Sequence, residues 1–373
     1  MPQTQVGTSE ALLDELSGWV RMETPTTDAA AVNALLSVCE RELGAAGAGL
    51  ARLPGRDGFG DTLVARVPGV GKPVLVAGHL DTVWGRGTLD GMALRVEGER
   101  AFGPGIYDMK AGSFIAFHVV REILRQGVAT RRPVTLLLTP DEEVGSPTSR
   151  EHIEREGRGA ECVLILEPAG PGGACVTARK GVGRFEMRVT GVGAHSGGAF
   201  EAGASAVVEL ARQIGRVHGM VDLPGGVTLN VAPVWGGTRP NVIPSEAGCE
   251  IDLRVPETAV GERMAAALLG LAAFDPRCTV RVTGEMNRPP MAETPAILAL
   301  YEVARGLAGE LGMALPKQHR GGGSDGNFTA ALGVPTLDGL GCPGGGAHAP
   351  DEHILWRKLA PRAALLAGLL ETL

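Results

Sequence analysis

The sequence predicts an α/β fold in which a mostly parallel central sheet is flanked by helices. Three short apolar runs, Pro73–Ala77, Pro133–Thr139 and Val163–Leu166, lack the alternation of half-exposed strands. They are therefore typical of parallel strands that are covered on both faces. The length of 373 residues exceeds that of one ordinary core and predicts two domains.

Helices are predicted where apolar residues recur every three or four positions. The first begins at Ser9, where Leu12, Leu16 and Val20 form an apolar face. The others are Asp28–Leu43, Ser113–Gln126, Glu201–His218, Thr258–Ala273, Thr294–Leu311, Gly326–Leu332 and Ile354–Leu373. The remaining predicted strands are Asp61–Val67, Val182–Thr190, Val227–Val234, Glu246–Val255, Cys278–Gly284 and Val334–Leu340.

The pattern of elements changes after Glu167. The following segments read β-α-β-β-α-β, which is the order of a ferredoxin-like α+β unit. We therefore expect residues 177–288 to form an inserted domain, and residues 1–176 and 289–373 to form the two parts of the first domain.

Composition excludes several classes of protein. The net charge is −7 and basic residues do not cluster, which argues against nucleic acid as a partner. Neither a signal peptide nor a membrane span is predicted. The six cysteines are scattered without a CxxC pair, as expected for reduced thiols of a cytoplasmic protein. Histidines and carboxylates are then the available metal ligands.

Acids and histidines follow the predicted strands at the ends where open α/β sheets form ligand crevices. His79 and Asp81 are two positions apart, so on an extended chain they point to one side. This pair suits a metal ligand and the acid that orients it through its second ring nitrogen. The same pair is also consistent with a capped strand end that holds one satisfied histidine.

Further acids lie at neighbouring positions. Asp108 precedes a predicted helix, where it is either a ligand or a simple N-cap. The run Asp141–Glu143 follows an apolar strand, where three adjacent acids repel one another unless cations compensate. Glu167 follows the next strand, and His348 lies in a late glycine-rich loop.

Two imidazoles and three carboxylates suit a pair of zinc ions that share one carboxylate. Asp108 is the best candidate for the shared position. Two such ions would hold a hydroxide between them and polarise a carbonyl. Glu142 would take the proton from the attacking water and hand it to the leaving amine.

Six stretches of the chain, GHLDTV, GPGIYDMKAG, TPDEEVGS, LILEP, GAHSG and GGGAHAPDEH, together resemble the co-catalytic zinc peptidases and deacylases. The resemblance runs from about residue 10 to the end, in the family's order, and is nearer to carboxypeptidase G than to the acetylornithine deacetylases. It implies two Zn²⁺ ions per chain, with Co²⁺ or Mn²⁺ as alternatives. The implied ligands are His79, Asp108, Glu143, Glu167 and His348, with Asp108 bridging. The implied general base is Glu142, and the acid that orients the first histidine is Asp81.

The resemblance also implies roles for the inserted domain. It would act as a lid and as the interface of a homodimer, and His195 would help to hold the developing oxyanion. The implied contacts to a substrate carboxylate or carbonyl fall on Arg254, Arg288, Asn241 and Gly322. Arginine pairs well with a carboxylate, although each arginine is equally consistent with a surface ion pair.

We therefore expect a metal-dependent hydrolase that cleaves an amide bond next to a free carboxylate. A carboxypeptidase that releases C-terminal glutamate or a similar residue fits best, and its substrate would be a small peptide. An N-acyl-amino-acid deacylase is the alternative within this class. A non-catalytic metal-binding regulatory member is the alternative from another class, although the complete set of ligands together with Glu142 argues against it.

Overall fold

The computed structural model describes residues 2–373, and the chain forms two compact units. The first comprises the chain up to Ala178 together with Glu293–Arg320 and Ser324–Leu373. The second comprises Arg179–Ala292 and Gly321–Gly323. The roles of lid and dimer interface for the second unit stay predictions.

The helices are α1 (Ser9–Arg21), α2 (Ala29–Ala45), α3 (Thr88–Gly91), α4 (Ala111–Gln126), α5 (Arg150–Gly159), α6 (Ala206–His218), α7 (Thr258–Leu269), α8 (Pro295–Glu310), α9 (Gly326–Ala331) and α10 (Leu359–Thr372). The first nine strands are β1 (Gly49–Leu53), β2 (Thr62–Val67), β3 (Val74–His79), β4 (Arg95–Glu97), β5 (Arg100–Phe102), β6 (Val134–Thr139), β7 (Cys162–Ile165), β8 (Cys175–Arg179) and β9 (Gly181–Thr190). The remaining strands are β10 (Ala194–His195), β11 (Thr228–Gly236), β12 (Val242–Ile243), β13 (Glu246–Val255), β14 (Thr279–Arg288), β15 (Lys317–Arg320), β16 (Thr336–Leu337), β17 (Gly344–Gly345) and β18 (His353–Leu355).

A six-stranded sheet in the order β1-β2-β6-β3-β7-β16 forms the centre of the first unit. Strand β3 pairs in parallel with β6 and β7, and β16 continues this parallel part. Strands β1 and β2 extend the sheet with antiparallel pairings. All residues of β3, β6 and β7 are buried, which confirms the prediction from their unbroken apolar runs.

Helix α4 packs tightly against this sheet. A Cβ atom on Gly112 would lie 1.8 Å from the main-chain oxygen of Leu166, so only glycine lets the helix approach the end of β7. On the other face of the helix, the Trp19 ring lies 5.5 Å from that of Phe114 and 5.2 Å from that of Phe117. These contacts fix the position of the helix that begins just after Asp108.

The second unit contains a four-stranded antiparallel sheet in the order β11-β13-β9-β14. With α6 and α7 the chain order is β-α-β-β-α-β, as predicted, so the ferredoxin-like part of the fold class is confirmed. Its core lies between the sheet and the two helices and contains Met187, Leu210, Cys249, Leu253 and Leu268.

Several predicted boundaries were wrong. Helix α6 begins at Ala206 rather than at 201, because the Ser205 hydroxyl caps it by accepting the Val208 N–H at 3.3 Å. The last helix begins at Leu359 rather than at 354, since residues 353–355 form β18. Strand β16 covers only two residues of the predicted segment 334–340.

A small antiparallel sheet in the order β17-β18-β5-β4 was not predicted. Its strands have two or three residues, too few to show a periodic pattern in the sequence. All six cysteines are unpaired and buried, as expected. Within residues 2–373, no helix combines the length and hydropathy that crossing a membrane requires.

Candidate metal centre

The carboxyl ends of adjacent strands in the first unit bring the predicted ligands together. His79 is the last residue of β3, and Glu142 and Glu143 follow the neighbouring β6. Glu167 follows β7 on the other side of β3. Because parallel strands end at the same edge of a sheet, these side chains share one crevice. Asp108 reaches it from the turn before α4, with extended dihedral angles of φ −113° and ψ 100°.

Two sets of side chains meet at the two oxygens of Asp108. His79 Nε2 lies 3.5 Å from Asp108 Oδ1 and 3.8 Å from Glu167 Oε1. His348 Nε2 lies 3.4 Å from Asp108 Oδ2 and 3.2 Å from Glu143 Oε2. One carboxylate therefore stands between two histidine–carboxylate sets, which is the arrangement that a bridging ligand requires.

Two groups of ligand atoms lie within the reach of a single ion. In one, atoms of His79, Asp108 and Glu143 are all within 4.8 Å of one another, and in the other the same holds for His79, Glu142 and Glu167. The side chain of His79 is 1% exposed and that of Glu143 is 6% exposed, whereas that of His348 is 50% exposed. The cluster is therefore buried on the strand side and open at His348.

Two buried polar atoms of this cluster test whether it fits a metal. Among residues 2–373, His79 Nε2 and Glu143 Oε1 are buried without a hydrogen-bond partner. Leaving such atoms unsatisfied costs free energy, and native structures rarely do so. An imidazole nitrogen and a carboxylate oxygen are common ligand atoms for zinc, so the residues fit a divalent cation.

Asp81 contacts His79 through both its main chain and its carboxylate, and its role in orienting this histidine stays a prediction. His79 Nδ1 donates to the main-chain oxygen of Asp81 at 2.9 Å, and the carboxylate Oδ1 is 3.3 Å away. Because a carbonyl oxygen only accepts, this bond places a proton on Nδ1 and turns the lone pair of Nε2 into the cluster. The carboxylate of Asp81 accepts the main-chain N–H groups of Glu142 and Glu143 at 3.2 and 3.3 Å.

The acids and histidines of the cluster shift one another's pKa values, and burial shifts them as well. Hydrogen bonds with Asp108 and Glu143 raise the pKa of His348 to about 10. Burial alone would raise the pKa of Asp108, but the nearby imidazoles of His348 and His79 outweigh it and hold this pKa well below its ordinary value. Burial raises the pKa of Glu143. A proton on His348 thus supplies positive charge beside the acids, and divalent ions would replace it.

The structure adds two residues near this crevice that sequence reasoning missed. Glu352 accepts the main-chain N–H groups of Tyr107 and Asp108 at 2.9 and 3.0 Å. The guanidinium of Arg320 lies beside the Tyr107 hydroxyl and acts to lower its pKa, although burial raises that pKa overall. Glu352 stands in the quoted stretch GGGAHAPDEH and Arg320 starts RGGGSD, but neither position carries a spacing signal.

The other predicted site residues all lie in the second unit. Arg254 pairs with Asp252 on its own strand at 2.6 and 2.8 Å. Arg288 is buried, and the main-chain oxygen of Gly322 accepts a hydrogen bond from Arg179 at 3.1 Å. The predicted residue Asn241 accepts the Ser196 N–H through its main-chain oxygen.

His195 lies in the short strand β10. Its Nδ1 accepts the N–H groups of Gly197 and Gly198 at 3.1 and 2.9 Å. The side chain is exposed in this unit. The roles of these second-unit residues stay predictions.

Comparison with known proteins identifies the family of the chain. The model of peptidase family M20/M25/M40 matches residues 75–372. Carboxypeptidase G2 of Pseudomonas sp. (strain RS-16) is 31% identical in an alignment of 375 positions that covers 98% of this chain and 90% of the relative. A succinyl-diaminopimelate desuccinylase of Gluconacetobacter diazotrophicus is 27% identical, covering 88% of this chain and 86% of the relative.

Solved structures show the same fold. The aminopeptidase PepT of Bacillus cereus superposes with a TM-score of 0.78 at 22% identity, covering 98% of this chain and 99% of the other. The M20 metallo-carboxypeptidase Sso-CP2 of Sulfolobus solfataricus gives a TM-score of 0.75 at 16% identity, covering 97% and 99%. The chain belongs to peptidase family M20/M25/M40 and is a metal-dependent hydrolase of amide bonds.

Proposed function

We propose that this metallopeptidase is a di-zinc carboxypeptidase that releases a C-terminal glutamate or a similar residue from a small peptide. The observation that carries the proposal is the position of Asp108 between two histidine–carboxylate sets. His79 and Glu167 would hold one ion, and Glu143 and His348 the other. Asp108 would bridge them. When bound, two zinc ions polarise the scissile carbonyl and lower the pKa of the attacking water.

Glu142 is the proposed general base. Its main-chain N–H is bound to Asp81, and one carboxylate oxygen lies within 4.8 Å of ligand atoms of His79 and Glu167. In that position the carboxylate can take a proton from the attacking water and pass it to the leaving amine. Glu143, held by the adjacent N–H bond to Asp81, points to His348 instead.

His195 is the proposed donor to the developing oxyanion. Because its Nδ1 accepts two main-chain N–H groups, the neutral ring carries its proton on Nε2. The exposed side chain can therefore present an N–H group to a carbonyl oxygen.

Recognition of a free carboxylate on the amine side is supported by Arg320 in the first unit. Its guanidinium lies beside the Tyr107 hydroxyl, one residue from Asp108. Within residues 2–373, Arg320 forms no ion pair with an acid, so its charge is available to a ligand. In the second unit, Arg288 and Asn241 stay proposed contacts, while Arg254 already pairs with Asp252.

The substrate is tested with a panel of compounds on zinc-supplemented protein. Dipeptides and pteroyl conjugates that end in glutamate should be cleaved at least about tenfold faster, by kcat/KM, than N-acetyl amino acids. Methylation of the terminal carboxylate should abolish this preference. A preference for N-acetyl amino acids would instead favour the deacylase, the activity named for the related desuccinylase and acetylornithine deacetylases.

The second unit supports a further proposal, that the protein forms a homodimer through it. Strand β11 is an edge of the four-stranded sheet, and edge strands pair readily with a second chain. Val234 and Trp235 on this strand are 53% and 40% exposed, and Val208 on the neighbouring helix α6 is 52% exposed. Apolar side chains beside an unpaired edge suit a self-complementary interface.

The assembly is tested by light scattering on the eluting protein. The parent should have twice the mass of one chain. The Val234→Lys variant should shift toward the monomer, because a lysine on an edge strand opposes pairing. A parent that runs as a monomer at all concentrations would contradict the dimer without affecting the proposed chemistry.

A further inference from the structure

Glu352 is a fully buried carboxylate that accepts four hydrogen bonds. Its Oε1 accepts the main-chain N–H groups of Tyr107 and Asp108 at 2.9 and 3.0 Å. Its Oε2 accepts the N–H of Gly105 at 2.9 Å and the indole N–H of Trp84 at 2.6 Å. An ionised carboxylate is stable in such a buried place only when its oxygens are satisfied in this way.

These four bonds connect the segments that carry three of the proposed ligands. Trp84 lies five residues after His79, in the segment that follows β3. Gly105–Asp108 is the turn that presents Asp108. Glu352 itself lies four residues after His348, and its main-chain N–H donates to Ala349 at 3.0 Å. The main-chain oxygen of Glu352 also accepts the Gly103 N–H at 3.2 Å.

The hydrogen bond from the Asp108 N–H to Glu352 acts directly on the main chain of a proposed ligand. Asp108 has an extended conformation between a left-handed Gly105 (φ +69°) and the start of α4. No regular helix or strand therefore fixes its main chain. A Cβ atom at Gly105 would lie 2.3 Å from Thr82 Cγ2, so the turn is also tightly packed against the segment after β3. The carboxylate of Glu352 supplies the hydrogen bonds that keep this turn in place.

We propose that Glu352 is a positioning residue that sets the metal affinity of the site by holding the segments of His79, Asp108 and His348 in register. It does so without itself touching the ions. The inference rests on the proposed metal centre, since it concerns the geometry of those ligands. It predicts that the ligand side chains are already arranged before any ion binds. It also predicts that loss of the Glu352 charge disturbs the position of Asp108 more than that of His79 or His348.

The test uses Glu352→Gln, which keeps the size of the side chain but replaces one acceptor oxygen with an NH₂ group. That group would face main-chain or indole N–H donors, so at least one pair of bonds is lost. Zinc affinity, measured by competition with a chromogenic chelator, should fall about 10–100-fold, as is usual for groups that orient metal ligands. The visible spectrum of the Co²⁺-loaded protein should change, because the coordination geometry changes.

Glu209→Gln is the matched control. Glu209 is also a buried carboxylate, 1% exposed, and it accepts the N–H groups of Phe274 and Asp275 and the amide of Gln213. It belongs to the second unit and touches none of the proposed ligands. This control should be destabilised in urea unfolding of the metal-free protein, while its zinc affinity stays within about twofold of the parent.

A milder variant, Trp84→Phe, removes only the indole donor and keeps the test open if Glu352→Gln does not fold. It should lower zinc affinity about threefold or more and perturb the Co²⁺ spectrum in the same direction. The proposal would be overturned if the zinc affinity of Glu352→Gln were unchanged, or if Glu209→Gln lost as much zinc affinity as Glu352→Gln. Where only Trp84→Phe folds, an unchanged zinc affinity of that variant would overturn it. Failure of the parent itself to bind two ions would instead overturn the proposed metal centre.

Discussion

The Nδ1 atom of His79 is bound to the main-chain oxygen of Asp81 at 2.9 Å and not primarily to the Asp81 carboxylate, which is 3.3 Å away. The tautomer of the histidine is therefore set by the main chain. The carboxylate is left to accept the N–H groups of Glu142 and Glu143 and the hydroxyl of Thr26 at 2.8 Å.

This division of contacts predicts that Asp81→Asn affects turnover more than metal binding. The main-chain carbonyl remains in the variant, so His79 keeps its orientation. An amide that replaces one acceptor oxygen loosens the loop of Glu142, and kcat should fall about 10–100-fold. Steady-state kinetics beside zinc titration measures the two effects. A larger loss in zinc affinity than in kcat would show that the carboxylate orients the histidine after all.

Glu142→Gln should nearly abolish turnover and leave the metal content unchanged. The amide cannot accept a proton, so kcat should fall by about 100-fold or more. Elemental analysis of the same preparation should still find the parent's metal content, whereas the Glu143→Gln control should lose metal. A Glu142→Gln protein that keeps most of its activity would rule out the proposed base.

Gly112→Ala should destabilise the first unit by about 2 kcal/mol, since the added methyl group would overlap the main-chain oxygen of Leu166. That carbonyl directly precedes Glu167, so metal affinity should fall as well. Gly18→Ala is the control, because no atom lies within 4 Å of a Cβ at this position of α1. It should stabilise the protein by about 0.5–1 kcal/mol in urea unfolding. Equal effects of the two substitutions would contradict the close packing of α4.

The ion pair of Glu15 with Arg121 predicts a pH dependence of stability. Burial raises the pKa of Glu15, but hydrogen bonds with His118 and Arg121 outweigh it and hold the pKa at about 2, against an ordinary value of 4.5. A carboxyl whose folded pKa is lowered stabilises the folded state above its unfolded pKa, and this contribution is lost as the pH falls from about 4.5 to about 2.

Glu15→Gln should therefore lower the free energy of unfolding by about 1.5 kcal/mol near neutral pH. The difference from the parent should shrink toward zero as the pH approaches about 2. Urea unfolding of the metal-free proteins across this range measures it. A difference that stays constant with pH would mean that the charge of Glu15 contributes little.

The sequence alone predicted the parallel strands β3, β6 and β7 together with His79, Glu143 and Glu167, because all of these follow from the same feature. Unbroken apolar runs identify buried parallel strands, and the acids and histidines stand where those runs end, as with His79 and Glu167. The strand alternation in residues 182–190 and the following β-α-β-β-α-β order were likewise visible in the chain.

Features that depend on distant contacts could not be predicted. The strand pairing of His353 with Phe102 joins segments far apart in the chain, and its short strands have no period to detect. Glu352 is indistinguishable in sequence from a surface glutamate, since its four donors come from two other segments. The pairing of Arg254 with Asp252 likewise appears only once β13 is formed.

The central claim is that five side chains hold two divalent ions with Asp108 between them. Anomalous diffraction at the zinc edge from zinc-loaded crystals tests it most directly. We predict two peaks per chain on opposite sides of the Asp108 carboxylate, one beside His79 and Glu167 and the other beside Glu143 and His348. A single peak, or two peaks that leave His348 uncoordinated, would contradict this account.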